Sequence, residues 1–135
     1  MKNLILTLCL ALGTTLAYAQ TKTFQLSSHI LDISKGMPAS GVPIRLEKID
    51  TNKKTWSIID EKITDTNGRI SYFLSSEKAN EGIYKLTFLT AEYFKSQNVQ
   101  SFYPFIEVVF EIKDSKHYHV PITLSAFGYS TYRGN

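Results

Sequence analysis

The 135-residue chain is predicted to fold as an all-β sandwich of seven to eight short strands with one short helix. Three observations support this prediction. Apolar and polar residues alternate along most of the chain, which is the period of a strand with one buried face. Turn-forming residues separate the alternating stretches. Eight Tyr and eight Phe residues in so short a chain favour a sheet-rich core.

Composition limits the class of protein. Hydrophobic residues make up 43% of the chain and the net charge is only +3, a mixture that argues against intrinsic disorder. No Lys/Arg cluster accompanies the charge, so we expect no nucleic-acid partner. The single cysteine excludes both a disulfide framework and a Cys-rich zinc site. The length allows one domain.

The first nineteen residues are interpreted as a secretion signal. Lys2 supplies the positive start, Leu4–Leu16 the apolar segment and Ala17–Ala19 the small-x-small cleavage site. The apolar run is shorter than the roughly 20 residues of a spanning helix, so no membrane association is expected. The sequence therefore predicts a signal peptide over 1–19, a domain over 20–135 and a periplasmic location.

Alternation predicts three strands in the first half of the domain. The first covers Phe24–Asp32, with His29 on the face opposite the apolar side chains. Residues 34–41 contain two glycines and a proline, which is typical of a turn-rich break. The second strand is predicted over 42–47 and the third over 56–63.

The segment Asp65–Arg69 contains the strongest hairpin signal, because its Asn-Gly pair readily takes the positive φ angles of a tight turn. After it, Ile70, Tyr72 and Leu74 occupy alternate positions of a further strand and are predicted to share one face.

The second half of the domain is predicted to hold four strands and the helix. A Thr at position 90 and several helix formers indicate a short helix over 90–97. The strands are predicted over 83–89, 105–112, 117–125 and 129–132.

The three histidines are expected on polar strand faces. The strand 117–125 carries apolar residues at its even positions, so His117 and His119 point away from the core, as His29 does on the first strand. Spacing leaves three interpretations open. The rings are solvated, or they form a three-histidine zinc site, or they serve in acid–base catalysis near neutral pH.

Arg69 and the C-terminal tail are further candidates for the functional site. Arg69 directly follows the Asn-Gly turn, where it is either a surface cation or a planar fork for an anion or a carbonyl. The segment Tyr132–Asn135 is an aromatic and basic tail, for which a frayed terminus is the default.

Several of these segments together resemble the 5-hydroxyisourate hydrolases, the transthyretin-related proteins. In chain order the matching segments are Leu26–Asp32, Gly41–Pro43, Thr64–Arg69, Gly82–Leu86, His117–Pro121 and Leu124–Gly134. The resemblance spans nearly all of 24–135. Two positions depart from the family pattern: Ala126 replaces a frequent Pro, and Asn135 replaces the usual terminal Ser.

The resemblance implies a transthyretin-like (prealbumin-like) β-sandwich that opens the ring of 5-hydroxyisourate in urate breakdown. It implies His29, Arg69, His119 and Tyr132 as catalytic residues, and His29, Arg69, Tyr132 and Asn135 as substrate contacts. Either His29 or His119 would activate water, with no cofactor and no metal. The family further implies a homotetramer, a dimer of dimers, with its sites between the dimers.

Related thyroid-hormone carriers lack the matching histidines, arginine and tail, so the residues present here favour the hydrolase. The alternative is an exported, non-catalytic module that binds a small aromatic ligand. Asp32 is an additional candidate for orienting His29, but regular strand geometry puts it on the opposite face, which favours a turn-starting role. His117 is expected to support the site.

Overall fold

The computed structural model describes residues 23–135, which form two β-sheets and one short helix. The predicted signal peptide lies outside the described residues, so it stays a prediction. The elements are, in chain order, β1 (Phe24–Asp32), β2 (Met37–Pro38), β3 (Pro43–Asp50), β4 (Thr55–Ile63), β5 (Arg69–Ser75), β6 (Gly82–Phe88), α1 (Ala91–Lys95), β7 (Ile106–Ile112), β8 (Tyr118–Leu124) and β9 (Tyr129–Thr131).

The first sheet, called here the β1 sheet, is built around β1. Strand β8 runs parallel to β1 on one side and pairs in turn with β9, while β5 and the two-residue β2 pair antiparallel with β1. The second sheet has the order β4-β3-β6-β7 and is antiparallel throughout. The all-β sandwich with one short helix is thus confirmed.

The core lies between the two sheets and takes the apolar side of each alternating strand. Leu26 and Ile30 of β1 and Ile122 of β8 are fully buried, as are Ile44 and Leu46 of β3. The opposite side of the β1 sheet carries Ser27, His29, His119 and Thr123, and it is called the histidine face below. This division of the strands into two faces is the one that alternation predicted.

The Asn-Gly turn forms, but the predicted hairpin is wrong. The amide of Gly68 donates to the carbonyl of Asp65 at 2.9 Å, and Gly68 has a φ of 68°. However, β4 pairs with β3 in one sheet while β5 pairs with β1 in the other. The turn therefore carries the chain from one sheet to the other, a choice that depends on long-range partners and not on turn chemistry.

The predicted alternation in β5 is also wrong. The pairing of β1 with β5 shifts register between Leu26 and Ser28, and Leu74 has a positive φ of 56°. As a result Ile70 and Phe73 are buried, while Tyr72 is half exposed at 50%. An irregularity of this kind moves side chains to the other face and has no clear sequence signature.

Two smaller differences concern β2 and the helix. Strand β2 forms inside the segment predicted as a turn-rich break, which makes nine strands in residues 23–135. The helix is shorter than 90–97, and Thr90 precedes it without a side-chain capping bond, its hydroxyl being buried. In residues 23–135 no helix is long and apolar enough to cross a membrane.

Candidate active site

The turn after β4 places Arg69 beside His29. One carboxylate oxygen of Asp65 accepts hydrogen bonds from the amides of Asn67 and Arg69, at 2.8 and 2.9 Å. The amide of Ile30 donates to the carbonyl of Gly68, which fixes the turn against β1. In the resulting register Arg69 is paired with His29. Paired residues share a face, so both side chains lie on the histidine face.

The parallel pairing of β1 with β8 brings His119 to the same face. His119 is paired with Ser27, and His29 with Pro121, one pleat further along. Strand spacing and rise put the Cα atoms of His29 and His119 roughly 8 Å apart. A small molecule lying on this face can therefore contact both imidazoles and Arg69.

A hydroxyl joins two of the histidines. The Oγ of Ser27 lies 2.8 Å from Nε2 of His117 and 2.8 Å from Nδ1 of His119. The Nδ1 of His117 lies 3.0 Å from the carbonyl oxygen of Phe24. The three side chains and the carbonyl form one continuous chain of hydrogen bonds.

Both site imidazoles favour the neutral form. Partial burial, followed by the nearby charge of Arg69, lowers the pKa of His29 below its ordinary value. Burial and Arg69, in that order, also lower the pKa of His119, and His29 and His117 add to the effect. A neutral imidazole has a free lone pair, which is what a general base requires.

Arg69 has no ion-pair partner among residues 23–135. By contrast, Arg45 on the other sheet is paired with Glu61 at 2.8 Å. The Arg69 residue is exposed beside the two histidines. Its five N–H donors are available to an anionic or carbonyl oxygen.

The C-terminal tail lies against His119. The amide of Gly134 donates to the carbonyl of His119 at 2.9 Å. A Cβ added at Gly134 would overlap Cδ2 of the imidazole and lie 3.1 Å from its Cγ. Since only hydrogen fits there, the tail limits how the ring can turn. Asn135 follows directly in the chain and is exposed.

Tyr132 is not brought to the histidines within this chain. It lies in a groove of about 440 Å³ with Val109 and Phe110 of β7. Its side chain is 60% exposed. The next residue, Arg133, stacks over the ring of Tyr118 at 4.7 Å and also faces this groove.

Asp32 lies away from the site. Its Oδ1 accepts bonds from the amides of Ser34 and Lys35, and its Oδ2 accepts one from the hydroxyl of Tyr93 at 2.8 Å. Burial and this carboxylate raise the pKa of Tyr93 to about 12. Asp32 therefore starts the turn after β1, as strand geometry predicted, and does not orient His29.

The described part of the chain contains no group of three side chains placed to hold a metal ion. In His117 both ring nitrogens are hydrogen-bonded, and in His119 the Nδ1 is. Those nitrogens would have to leave their partners to bind a metal. This arrangement favours acid–base use of the imidazoles over the zinc interpretation.

Sequence reasoning missed Ser27 and Gly134. Ser27 lies two residues before His29, so the alternation of β1 already placed it on the same face. Only the parallel pairing with β8 reveals that it lies between two histidines. The contact of Gly134 with His119 had no sequence signal, because it depends on the path of the chain after β9.

Comparison with known proteins identifies the family of this chain. The family model described as "HIUase/Transthyretin family" matches residues 26–134. A probable 5-hydroxyisourate hydrolase of Caenorhabditis elegans is 46% identical, covering 90% of this chain and 89% of its own. The 5-hydroxyisourate hydrolase of Mus musculus is 38% identical, covering 85% and 98%.

Solved structures similar to this chain include a 5-hydroxyisourate hydrolase and a transthyretin. The 5-hydroxyisourate hydrolase of Klebsiella pneumoniae superposes with a TM-score of 0.70 at 35% identity, covering 82% of this chain and 98% of its own. Sea bream transthyretin in complex with thyroxine gives 0.76 at 29% identity, covering 82% and 94%. Fold likeness alone thus does not separate enzyme from carrier, but the match over residues 26–134 establishes that the chain belongs to the HIUase/Transthyretin family.

Proposed function

We propose that this protein hydrolyses 5-hydroxyisourate to 2-oxo-4-hydroxy-4-carboxy-5-ureidoimidazoline in urate catabolism. The proposal rests on one observation: two imidazoles that favour the neutral form lie on one sheet face with an arginine that has no ion-pair partner within residues 23–135. Relatives named as this hydrolase or as probable members of it, among them one at 46% identity, support the substrate. A protein that only binds and carries a ligand would not need two neutral imidazoles and an arginine together on one face.

The reaction adds one water across a ring C–N bond. An imidazole takes a proton from water while the water oxygen bonds to the ring carbonyl carbon, forming a tetrahedral oxyanion. The oxyanion then collapses, the C–N bond breaks, and the imidazolium gives its proton to the departing nitrogen. The second water proton is lost from the new carboxylic acid to solvent. The two imidazoles can divide base and acid work between them.

Arg69 binds the anionic substrate and stabilises the oxyanion. Its charge lies beside both imidazoles, and its donors are not committed elsewhere among the described residues. Preorganised donors of this kind act where charge develops and need no reorganisation during the reaction. Asn135 lies next to His119 through Gly134 and lends polar contacts at the edge of the substrate.

Tyr132 requires a second subunit to act at the site. In one chain it lies in the groove against β7, while the histidine face is open. We propose a homotetramer in which chains pair across histidine faces, so that Tyr132 closes a site between dimers. We further propose that the signal peptide predicted over 1–19 exports the protein to the periplasm.

Breaking the proposed interface should abolish activity without unfolding the chain. We propose Phe127 as an interface residue, since it is an apolar side chain 75% exposed in the loop between β8 and β9 of the β1 sheet, and Phe127→Glu disturbs no core packing. We expect sedimentation to show smaller species, and those species to have lost turnover. Full specific activity in a verified monomer would contradict a site shared between subunits.

Replacing Gly134 with Ala should lower kcat by about tenfold or more, because the added methyl displaces the His119 ring. The matched control is Gly128→Ala, where the nearest atom to the new Cβ is Ser125 Oγ at 3.7 Å. Both variants should melt near the wild type. Wild-type kinetics in Gly134→Ala would show that the tail does not hold the ring.

The pH dependence follows from the sign of the pKa shifts. Because the pKa of each site imidazole is lowered from 6.5, the base stays neutral as the pH falls through 6.5. We therefore expect the acid limb of kcat/KM to have its midpoint below 6.5. Arg69→Gln removes the positive charge, so the midpoint pH of the acid limb in its residual activity should rise. Arg45→Gln should leave this midpoint unchanged. A limb above 6.5 in the wild type would contradict a neutral-imidazole base.

The proposed function is tested with 5-hydroxyisourate freshly generated from urate. The protein should accelerate the loss of its absorbance over the spontaneous rate and give a product one water heavier. Saturable binding without acceleration would instead indicate the non-catalytic ligand-binding module.

A further inference from the structure

We infer that Ser27 and His117 are positioning residues that hold His119 in the tautomer with hydrogen on Nδ1, which leaves Nε2 as the base. This inference rests on the proposed hydrolysis and assigns the base that the sequence left open between His29 and His119. It follows from the polarity of the hydrogen-bond chain on the histidine face.

The chain has a fixed direction because it begins at a group that can only accept. The carbonyl oxygen of Phe24 accepts, so Nδ1 of His117, 3.0 Å away, must carry hydrogen. In neutral His117 the other nitrogen, Nε2, is then bare and accepts the hydroxyl hydrogen of Ser27 at 2.8 Å.

Ser27 has one hydrogen, and His117 takes it. Toward His119 the hydroxyl can therefore only accept, so Nδ1 of His119 must donate across the 2.8 Å contact. A neutral imidazole with hydrogen on Nδ1 has its lone pair on Nε2. The carbonyl of Phe24 thus fixes the donor and acceptor roles of His117 and Ser27. Those roles in turn fix the tautomer of His119 on β8.

The surroundings of His119 fit this state. Gly134 packs against Cδ2, the carbon bonded to Nε2, and blocks the ring from swinging toward the tail. The charge of Arg69 disfavours a second proton on the ring. His29 has no hydrogen bond to another side chain among residues 23–135, and a backbone hydrogen bond with Asn67 opposes the lowering of its pKa by burial and Arg69.

The arrangement resembles the general pattern in which a catalytic base is oriented by a third group through its other nitrogen. In such sites the wrong tautomer can leave geometry intact and still reduce turnover by orders of magnitude. Here the orienting group is a neutral hydroxyl whose direction a second histidine sets. Orientation is therefore achieved without adding negative charge near an anionic substrate.

The test uses ¹⁵N-histidine labelling of the purified protein at about pH 8, above the ordinary histidine pKa. Ring nitrogen shifts distinguish a protonated from a bare nitrogen. In the wild type we expect hydrogen on Nδ1 of His119 and a bare Nε2. In His117→Ala the Ser27 hydroxyl is free to donate to His119, and we expect hydrogen to move to Nε2.

Kinetics give a second readout. Ser27→Ala and His117→Ala should each lower kcat by about tenfold or more with KM changed less than about threefold. Ser27→Thr, which keeps the hydroxyl, should recover most of the lost turnover. The matched control is Ser130→Ala, which removes a hydroxyl bonded to Thr123 on the same sheet and should leave kcat unchanged.

The possible results distinguish failure of the tautomer assignment from failure of the proposed function. Hydrogen on Nε2 of wild-type His119, or kcat unchanged in both Ser27→Ala and His117→Ala, would overturn the assignment even if the protein is an active hydrolase. Wild-type protein that shows the expected tautomer but does not accelerate hydrolysis would overturn the proposed function and leave the tautomer assignment standing.

Discussion

Replacing Arg69 with Ala should lower kcat/KM for 5-hydroxyisourate by about 100- to 1,000-fold, the loss typical of one oxyanion donor. The variant removes the positive charge beside both imidazoles and the planar donors that bind the substrate. Steady-state kinetics corrected for spontaneous decay would measure the loss. Because Arg69 is exposed and makes no ion pair within the described chain, we expect the melting temperature to change little.

The matched control for this prediction is Arg45→Ala. Arg45 is paired with Glu61 on the other sheet, so its removal costs a surface ion pair and leaves the histidine face intact. We expect its turnover to match the wild type. If Arg69→Ala and Arg45→Ala behaved alike, Arg69 would have no role in binding or in stabilising the oxyanion.

Replacing His119 with Ala should lower kcat by about 100- to 10,000-fold, the range of a general base. The ring is half-buried and its Nδ1 contacts Ser27, so among the described residues the variant also leaves that hydroxyl with His117 as its only side-chain partner. We expect the residual rate to lose the acid limb assigned to His119. Kinetics across pH measure both effects.

Thr123→Ala is the matched control, since Thr123 lies on the same face of the same strand and bonds Ser130. Its turnover should stay within about threefold of the wild type. A comparison with His29→Ala then separates the roles of the two imidazoles. If His29→Ala lost all activity while His119→Ala kept most of it, His29 and not His119 would be the base.

Alternation predicted most of the fold because burial follows residue type on each strand. The faces of β1 and β8, including the outward position of His29 and His119, could be predicted from the period of two alone. The boundaries of β8 agree with the prediction within one residue. Local pattern is informative for β1 and β8 because each of these strands has one clearly apolar side.

The sequence predictions were wrong where pairing with a distant strand determines the structure. Asp65–Arg69 forms the expected turn, but it connects two sheets, since β5 pairs with β1 and not with β4. The register shift opposite β1 buries Phe73 in place of Tyr72. Neither outcome is encoded in a short window of residues.

Three of the candidate site residues could be named from the sequence, but the hydrogen bonds of the site could not. The resemblance to the 5-hydroxyisourate hydrolases implied His29, Arg69 and His119, and the register places them on one face. The chain from Phe24 through His117 and Ser27 to His119 depends on strands that are about 90 residues apart in sequence. Contacts at such separation are visible only in three dimensions.

The most direct measurement compares three proteins on freshly generated 5-hydroxyisourate: the wild type, Arg69→Ala and His119→Ala. We predict that the wild type accelerates loss of the substrate well above the spontaneous rate and that both variants fall close to that rate while remaining folded. A folded wild-type tetramer that gives no acceleration would contradict the hydrolase. Variants as fast as the wild type would contradict the site.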